Sequence, residues 1–260
     1  MSKNDPIGIF DSGVGGLSVL KEALKILPQE DFIYFGDTLR VPYGDKSQEE
    51  LLICTRRILD FFKAKGVKLV IVACNTCSAN TLPIVKNEYD FEILGLIEPT
   101  ANYVSTLNVK KIGLIATTAT VNSHAYPKAM EKFAIKVMQQ NCPELVKFVE
   151  RGETYSKNVI KILENYLKPL KDENIEKLIL GCTHYPFLVP AMKSLGLSDE
   201  FFINPAICLS KSAKEFLVNN NIMNSQKNGH CQFFVSANPD DFKRNAKLFF
   251  GEIEEVQMYK

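Results

Sequence analysis

Short apolar runs alternate along this chain with stretches in which apolar residues return every three or four positions. The runs at 7–10, 32–35, 69–72 and 92–96 are rich in β-branched and aromatic side chains and predict buried strands. Between them, Leu17, Leu20, Leu24 and Leu27 fall on one face at helical spacing, so a helix is expected from about Leu17. Ser47, Gln48, Glu49 and Glu50 make a capping-box pattern for a long helix ending near Lys65. Another helix is expected over 78–88.

The pattern then begins again. Strands are expected at 111–115, 135–138, 178–181 and 201–203, helices at 123–133 and 154–167, and irregular chain over 142–152. Residues 7–10 correspond to 112–115, and Cys74 corresponds to Cys182 at nearly the same offset, which reads as an internal repeat. Strands alternating with helices at this spacing imply parallel sheets. The expected fold class is therefore α/β: two similar three-layer domains related by a pseudo-repeat. The tail offers a helix to about Val218, a polar linker over 219–228, a strand at 232–235, a helix after Pro239 and a strand near Val256. It is too short for a third core and is expected to return to the first half. The expected domains are 1–97 with 208–260, and 98–207.

Composition narrows the classes of function. Lys+Arg is 31 and Asp+Glu is 30, so a net charge of +1 gives no support to a nucleic-acid partner. No apolar run reaches the roughly 20 residues of a membrane span. The first residues lack the apolar region of a signal peptide. Seven cysteines, an odd number in a chain of this size, argue for reduced thiols in a cytosol.

Cys54, Cys142, Cys208 and Cys231 lack polar company and read as small buried fillers. Cys74 and Cys182 each lie where a strand gives way to a helix, a setting in which amide donors favour thiolates. Three chemistries compete for this pair. Cys74 and Cys77 are formally C-x-x-C, a redox motif, but that reading leaves Cys182 without a role. Cys74, Cys77, Cys182 and His184 are ligand types that zinc accepts, though Cys182 and His184 stand closer than usual ligand spacing. Two thiols facing one another across a substrate, one removing a proton from carbon and the other delivering one, would explain the symmetric pair.

The turn Asp11-Ser12-Gly13-Val14-Gly15-Gly16 is neither a dinucleotide fingerprint nor a P-loop. It reads as a glycine turn whose amides face an anionic ligand, with Asp11 and Ser12 lining the site; Asp11 as a simple N-cap is the plainer alternative. His184 reads more commonly as a surface or core histidine, and, two residues past Cys182, alternatively as a group that tunes that thiol or shares its proton. Thr117, Thr118 and Thr120 fit caps or ligand contacts. Tyr43 and Glu150, taken alone, read as surface residues.

Four motifs stand in register: Phe10-Asp11-Ser12-Gly13-Val14-Gly15-Gly16, Val41-Pro42-Tyr43-Gly44, Ala73-Cys74-Asn75-Thr76, and Leu180-Gly181-Cys182-Thr183-His184-Tyr185-Pro186. Together they resemble bacterial glutamate racemases, members of the cofactor-independent aspartate/glutamate racemase superfamily, over essentially the whole chain. The resemblance implies two α/β domains with the active site between them, and interconversion of L- and D-glutamate for peptidoglycan. It implies no cofactor and no metal, a cytoplasmic enzyme, a homodimer, and no membrane or nucleic-acid partner. It makes Cys74 the base toward D-glutamate and Cys182 the base toward L-glutamate. Asp11 would assist Cys74, and His184 with Glu150 would assist Cys182. Asp11, Ser12, Pro42, Tyr43, Gly44, Asn75, Thr76, Thr117, Thr120, Thr183 and His184 would hold the substrate. Cys77 departs from the pattern, where the family usually has alanine, and the turn at Ala116 often starts with glycine in relatives. Aspartate racemization is the nearest rival; a zinc-binding module and a thiol oxidoreductase are rivals from other classes.

Overall fold

The computed structural model describes residues 2–259; Met1 and Lys260, the outermost residues of the expected first domain, lie outside the described residues. β1 (Ile7–Asp11) runs through the glycine turn into α1 (Leu17–Ile26) and back to β2 (Phe32–Gly36). α2 (Gln48–Lys65) leads to β3 (Leu69–Val72), then α3 (Asn75–Asn80), α4 (Leu82–Val85) and β4 (Glu92–Gly95). α5 (Ile97–Ser105) crosses to the second half. There β5 (Lys111–Ala116), α6 (Thr118–Asn122), α7 (Ala125–Glu131), β6 (Lys136–Asn141), α8 (Leu145–Glu150) and α9 (Lys157–Asp172) follow. β7 (Lys177–Gly181), α10 (Val189–Ser194) and β8 (Phe202–Ile203) complete it, and the tail adds α11 (Pro205–Asn219), β9 (Cys231–Val235), α12 (Pro239–Phe249) and β10 (Gln257–Met258).

Two sheets result, with strand orders β10-β9-β2-β1-β3-β4 and β6-β5-β7-β8. Their pairings among the described residues are all parallel. The order β2-β1-β3-β4 matches β6-β5-β7-β8 strand for strand, so the repeat read in the letters is a repeat of topology. The fold is α/β with two helix-covered parallel sheets. In each, the third strand of the repeat sits beside the first, β3 by β1 and β7 by β5. This brings the carboxyl ends of four central strands to the same edge of their sheets, where open α/β sheets bind ligands.

β1 and β3 are buried at every residue, as continuous apolar runs between helix layers require. An apolar cluster passes through both halves and includes Ile9, Leu20, Leu96, Leu180 and Leu209. α11 packs against both α1 and α5. Its fully buried Leu209 and Leu217 are each worth roughly 1.5–3 kcal/mol of apolar burial.

Several local readings change. The expected helix over 78–88 begins earlier, at Asn75, with Cys74 in extended conformation as its N-cap, and ends at Asn80. Pro83 lacks the amide that would continue α3, so a separate turn, α4, follows. The expected helix over 123–133 is α7, shorter at both ends and opened by His124, whose φ is 52°; the residues before it, expected as a polar turn, add a short helix of their own, α6. Residues 142–152, expected to be irregular, contain α8, which buries Leu145 and Val149 one turn apart. The long helix expected at 154–167 starts later, where Ser156 accepts from the Val159 amide, and runs to Asp172. The capping box at Ser47 and Glu50 is present in both directions. Among the described residues, no helix is long and apolar enough to cross a membrane.

Candidate active site

The turn after β1 is built around a carboxylate. Asp11 is buried, and its Oδ2 accepts from the Gly13 amide at 3.2 Å and the Gly16 amide at 2.9 Å. Glycine is required here. A Cβ on Gly16 would lie 2.4 Å from Asp11 Cβ, and one on Gly15 would lie 2.5 Å from both His184 Cε1 and Thr183 Oγ1. The Tyr34 hydroxyl donates to the Gly13 carbonyl at 2.7 Å and fixes the turn from below. Burial raises the Asp11 carboxyl above the ordinary aspartate range, against the opposing pull of His184 and the turn amides.

Cys74 stands at the end of β3 and caps α3. Behind it, Cys77 is fully buried, with the Thr55 hydroxyl 3.8 Å from its sulfur. Burial, then its contact with Cys74, holds the Cys77 thiol well above the usual cysteine range. All seven cysteines are free thiols.

Cys182 ends β7 in the equivalent place. His184 Nδ1 lies 3.6 Å from Cys182 Sγ. His184 Nε2 lies 3.4 Å from Glu150 Oε1, an ion-pair distance without hydrogen-bond alignment, so among the described residues this buried nitrogen has no hydrogen-bond partner. Burial alone would lower the imidazole, but the neighbouring Cys182 and Glu150 outweigh it and push it up to about 10. Negative charge on Cys182 and Glu150 favours the protonated ring, a cation buried between them.

Polar contacts close the seam between the halves. Thr117 Oγ1 lies 3.1 Å from Thr76 Oγ1 and 3.1 Å from Thr120 Oγ1. The Ala119 amide donates to the Gly44 carbonyl, and the Ser18 hydroxyl donates to the Thr183 carbonyl at 2.9 Å. In the loop that carries Gly44 the Val41–Pro42 peptide is cis, and the Tyr43 hydroxyl donates to Asp37 Oδ2 at 2.6 Å.

A cavity of about 210 Å³ lies between the strand ends. Asp11, Ser12, Pro42, Tyr43, Gly44, Cys74, Asn75, Thr76, Thr117, Glu150, Cys182, Thr183 and His184 line it. Of the residues assigned to catalysis or to substrate, Thr120 is the one off the wall; it is fully buried and bonds to Thr117, which lines the cavity. Thr118 lines the cavity in its place, while its hydroxyl donates to Asn141.

Sequence reasoning missed Asp45, Pro143, Val146 and Lys147. The last three come from α8 and the residues leading into it. The signal was the buried pair Leu145 and Val149, which turns Val146, Lys147 and Glu150 to the adjoining face. Cys74, Cys77, Cys182 and His184 do not form a metal site: among the described residues no group of three or more His, Cys, Asp or Glu side chains is placed to hold an ion. What the cavity offers is two thiols at equivalent strand ends, a charged relay behind one, a buried carboxyl behind the other, and hydroxyls and amides around them.

Residues 10–200 match the family described as Asp/Glu/Hydantoin racemase. Glutamate racemase 2 of Caldanaerobacter subterraneus subsp. tengcongensis is 43% identical over 96% of this chain and 96% of its own length. The crystal structure of glutamate racemase from Francisella tularensis in complex with D-glutamate superposes with a TM-score of 0.92 at 35% identity, covering 99% of this chain and 98% of that one. A glutamate racemase isoform from Bacillus anthracis gives 0.94 at 33% identity, with the same coverage. The chain belongs to the Asp/Glu/Hydantoin racemase family and, within it, to the glutamate racemases.

Proposed function

We propose that the chain inverts glutamate at Cα by proton transfer between two thiols. Cys74 as thiolate takes the α-proton from D-glutamate while the Cys182 thiol delivers one to the opposite face; from L-glutamate the roles reverse. One C–H bond breaks and another forms, no electrons are gained or lost overall, and no cofactor is called for. The carrying observation is that Cys74 and Cys182 line one cavity from the carboxyl ends of equivalent strands.

The α-proton of an amino acid is a weak acid, so the barrier falls mainly through preorganised donors and exclusion of water. Ser12, Asn75, Thr76, Thr117 and Thr183 are the donors assigned to the substrate, with Pro42, Tyr43 and Gly44 shaping the rim. Asp11 assists Cys74. His184 and Glu150 assist Cys182, the imidazolium standing 3.6 Å from its sulfur. A relative solved with D-glutamate supports the substrate. Replacing Cys74 or Cys182 by alanine and following the enantiomers by circular dichroism tests the mechanism. Loss of about a thousandfold or more is expected for loss of an essential proton-transfer group; full activity in either variant overturns it. Parallel assays with aspartate separate the nearest rival substrate.

We infer the domain division, the assembly and the cellular role as well. Residues 1–97 with 208–260 form the Cys74 domain and 98–207 the Cys182 domain, which limited proteolysis at the two crossings tests. The enzyme is a cytoplasmic homodimer, checked by fractionation and sedimentation equilibrium. It supplies D-glutamate for peptidoglycan, so cells depleted of it should grow only with D-glutamate added.

A further inference from the structure

Asn75 and Tyr126 meet across the seam. Asn75 opens α3 in the first half and is one of the residues that line the cavity. Tyr126 lies in the first turn of α7 in the second half and is fully buried. The Tyr126 hydroxyl donates to Asn75 Oδ1 at 2.7 Å. Burial keeps the Tyr126 phenol far above the ordinary tyrosine range, so it remains a donor throughout the working pH range.

A tyrosine hydroxyl can donate or accept, and here it donates to Oδ1, which sets the end that Asn75 leaves for the cavity. A side-chain amide has an acceptor end and a donor end. With Oδ1 engaged by Tyr126, the other end is Nδ2, which makes no hydrogen bond to protein among the described residues. Turned over, the amide would aim its carbonyl at the cavity and repel an anion. A donor facing the cavity suits a carboxylate. Nothing in the first half provides this bond; its donor comes from a helix that covers the other sheet.

We propose that Tyr126 is a positioning residue that locks the Asn75 amide with its NH₂ toward a substrate carboxylate. The inference rests on the reading that this cavity holds glutamate. It also makes carboxylate recognition by Asn75 conditional on α3 and α7 being docked, so the amide is correctly turned only while the halves are together.

Four variants test it: Tyr126→Phe, Asn75→Ala, the double variant and Asn75→Asp, with KM and kcat measured for both enantiomers and Tm by circular dichroism. An interaction made equally in ground and transition states raises KM and spares kcat. Tyr126→Phe should raise KM about fivefold to tenfold, the worth of one buried hydrogen bond, with kcat within about twofold. In the Asn75→Ala background the same change should leave KM unaltered. Asn75→Asp keeps an acceptor for Tyr126 and loses the donor, so it should raise KM at least as much as Asn75→Ala with little change in Tm. A Tyr126→Phe enzyme with unchanged KM, or an equal rise in both backgrounds, overturns the proposal. So does a wild-type KM in Asn75→Asp, which decides the matter even if Tyr126→Phe folds poorly. If Asn75→Ala itself leaves KM unchanged, the placement of substrate against Asn75 is what fails.

Discussion

His184 Nδ1 stands 3.6 Å from Cys182 Sγ while the far side of the same ring faces Glu150. The imidazole thus stands between two neighbours of unequal exposure: the Glu150 side chain is 41% exposed, whereas Cys182 is buried.

Removing the exposed neighbour should loosen the proton. In Glu150→Gln the His184 titration should move down from about 10, and the alkaline limb of the pH–rate profile should move with it. The shift should be partial, because Cys182 remains, and moderate salt should reproduce some of it by screening. Proton NMR of the imidazole against pH gives the comparison; an unmoved titration would mean that Glu150 does not hold the ring's charge.

The same group predicts a trend in stability. His184 holds its proton more tightly folded than unfolded. Its contribution is therefore complete below about 6.5 and is lost as pH rises through about 10. Unfolding by urea at pH 6, 8 and 10 should show wild type losing stability relative to His184→Asn as pH climbs. Parallel curves would contradict the assignment.

Gly15 lies directly against this ring. In Gly15→Ala the new methyl meets His184 Cε1 and Thr183 Oγ1 at 2.5 Å, so both side chains must swing away. Misplacement on the order of 1 Å costs about a hundredfold in rate. Activity should fall by about that factor while Tm changes by only a few degrees. A normal rate would show that the imidazole can move without penalty.

At the other end of β3, Lys68 and Glu30 form a fully buried ion pair at 2.6 Å, with Lys68 Nζ also donating to the carbonyls of Lys3 and Ile222. Lys68→Met leaves a buried carboxylate unpaired and should cost about 3–5 kcal/mol, whereas Lys68→Met with Glu30→Leu should recover most of it. Denaturant midpoints measure both. The rate per folded molecule should be unchanged, because the cysteine lies beyond the opposite end of that strand.

Cys77→Ala should retain racemization, measured by circular dichroism of the enantiomers. Its buried thiol does not line the cavity, whereas a thiol–disulfide function would require it.

What could be read from the letters was what is local. The strand-end cysteines, the glycine turn at Asp11 and the capping box at Ser47 are each set by a few consecutive residues, and they appear where the pattern put them. The helix boundaries around Asn75 and His124 were not legible, because a cysteine in extended conformation and a histidine at positive φ leave no propensity signal. α8 was hidden because six residues beside Pro143 hold too little periodicity to stand out. Thr118 and Thr120 could not be told apart without knowing where α6 starts. The partnership of Tyr126 with Asn75 joins positions distant in sequence, and nothing in either neighbourhood announces the other.

The two halves repeat one strand order but dress their cysteines differently, with a buried carboxyl behind one and an imidazolium with its carboxylate behind the other. Mirror-image substrates have equal free energy in water, so the ratio kcat/KM must be the same starting from either hand. The unequal dressing can make the enzyme hold one enantiomer more tightly and turn it over more slowly, in compensating proportion. It cannot tilt the final mixture away from equal parts. Any net supply of one hand must come from a later reaction that consumes it.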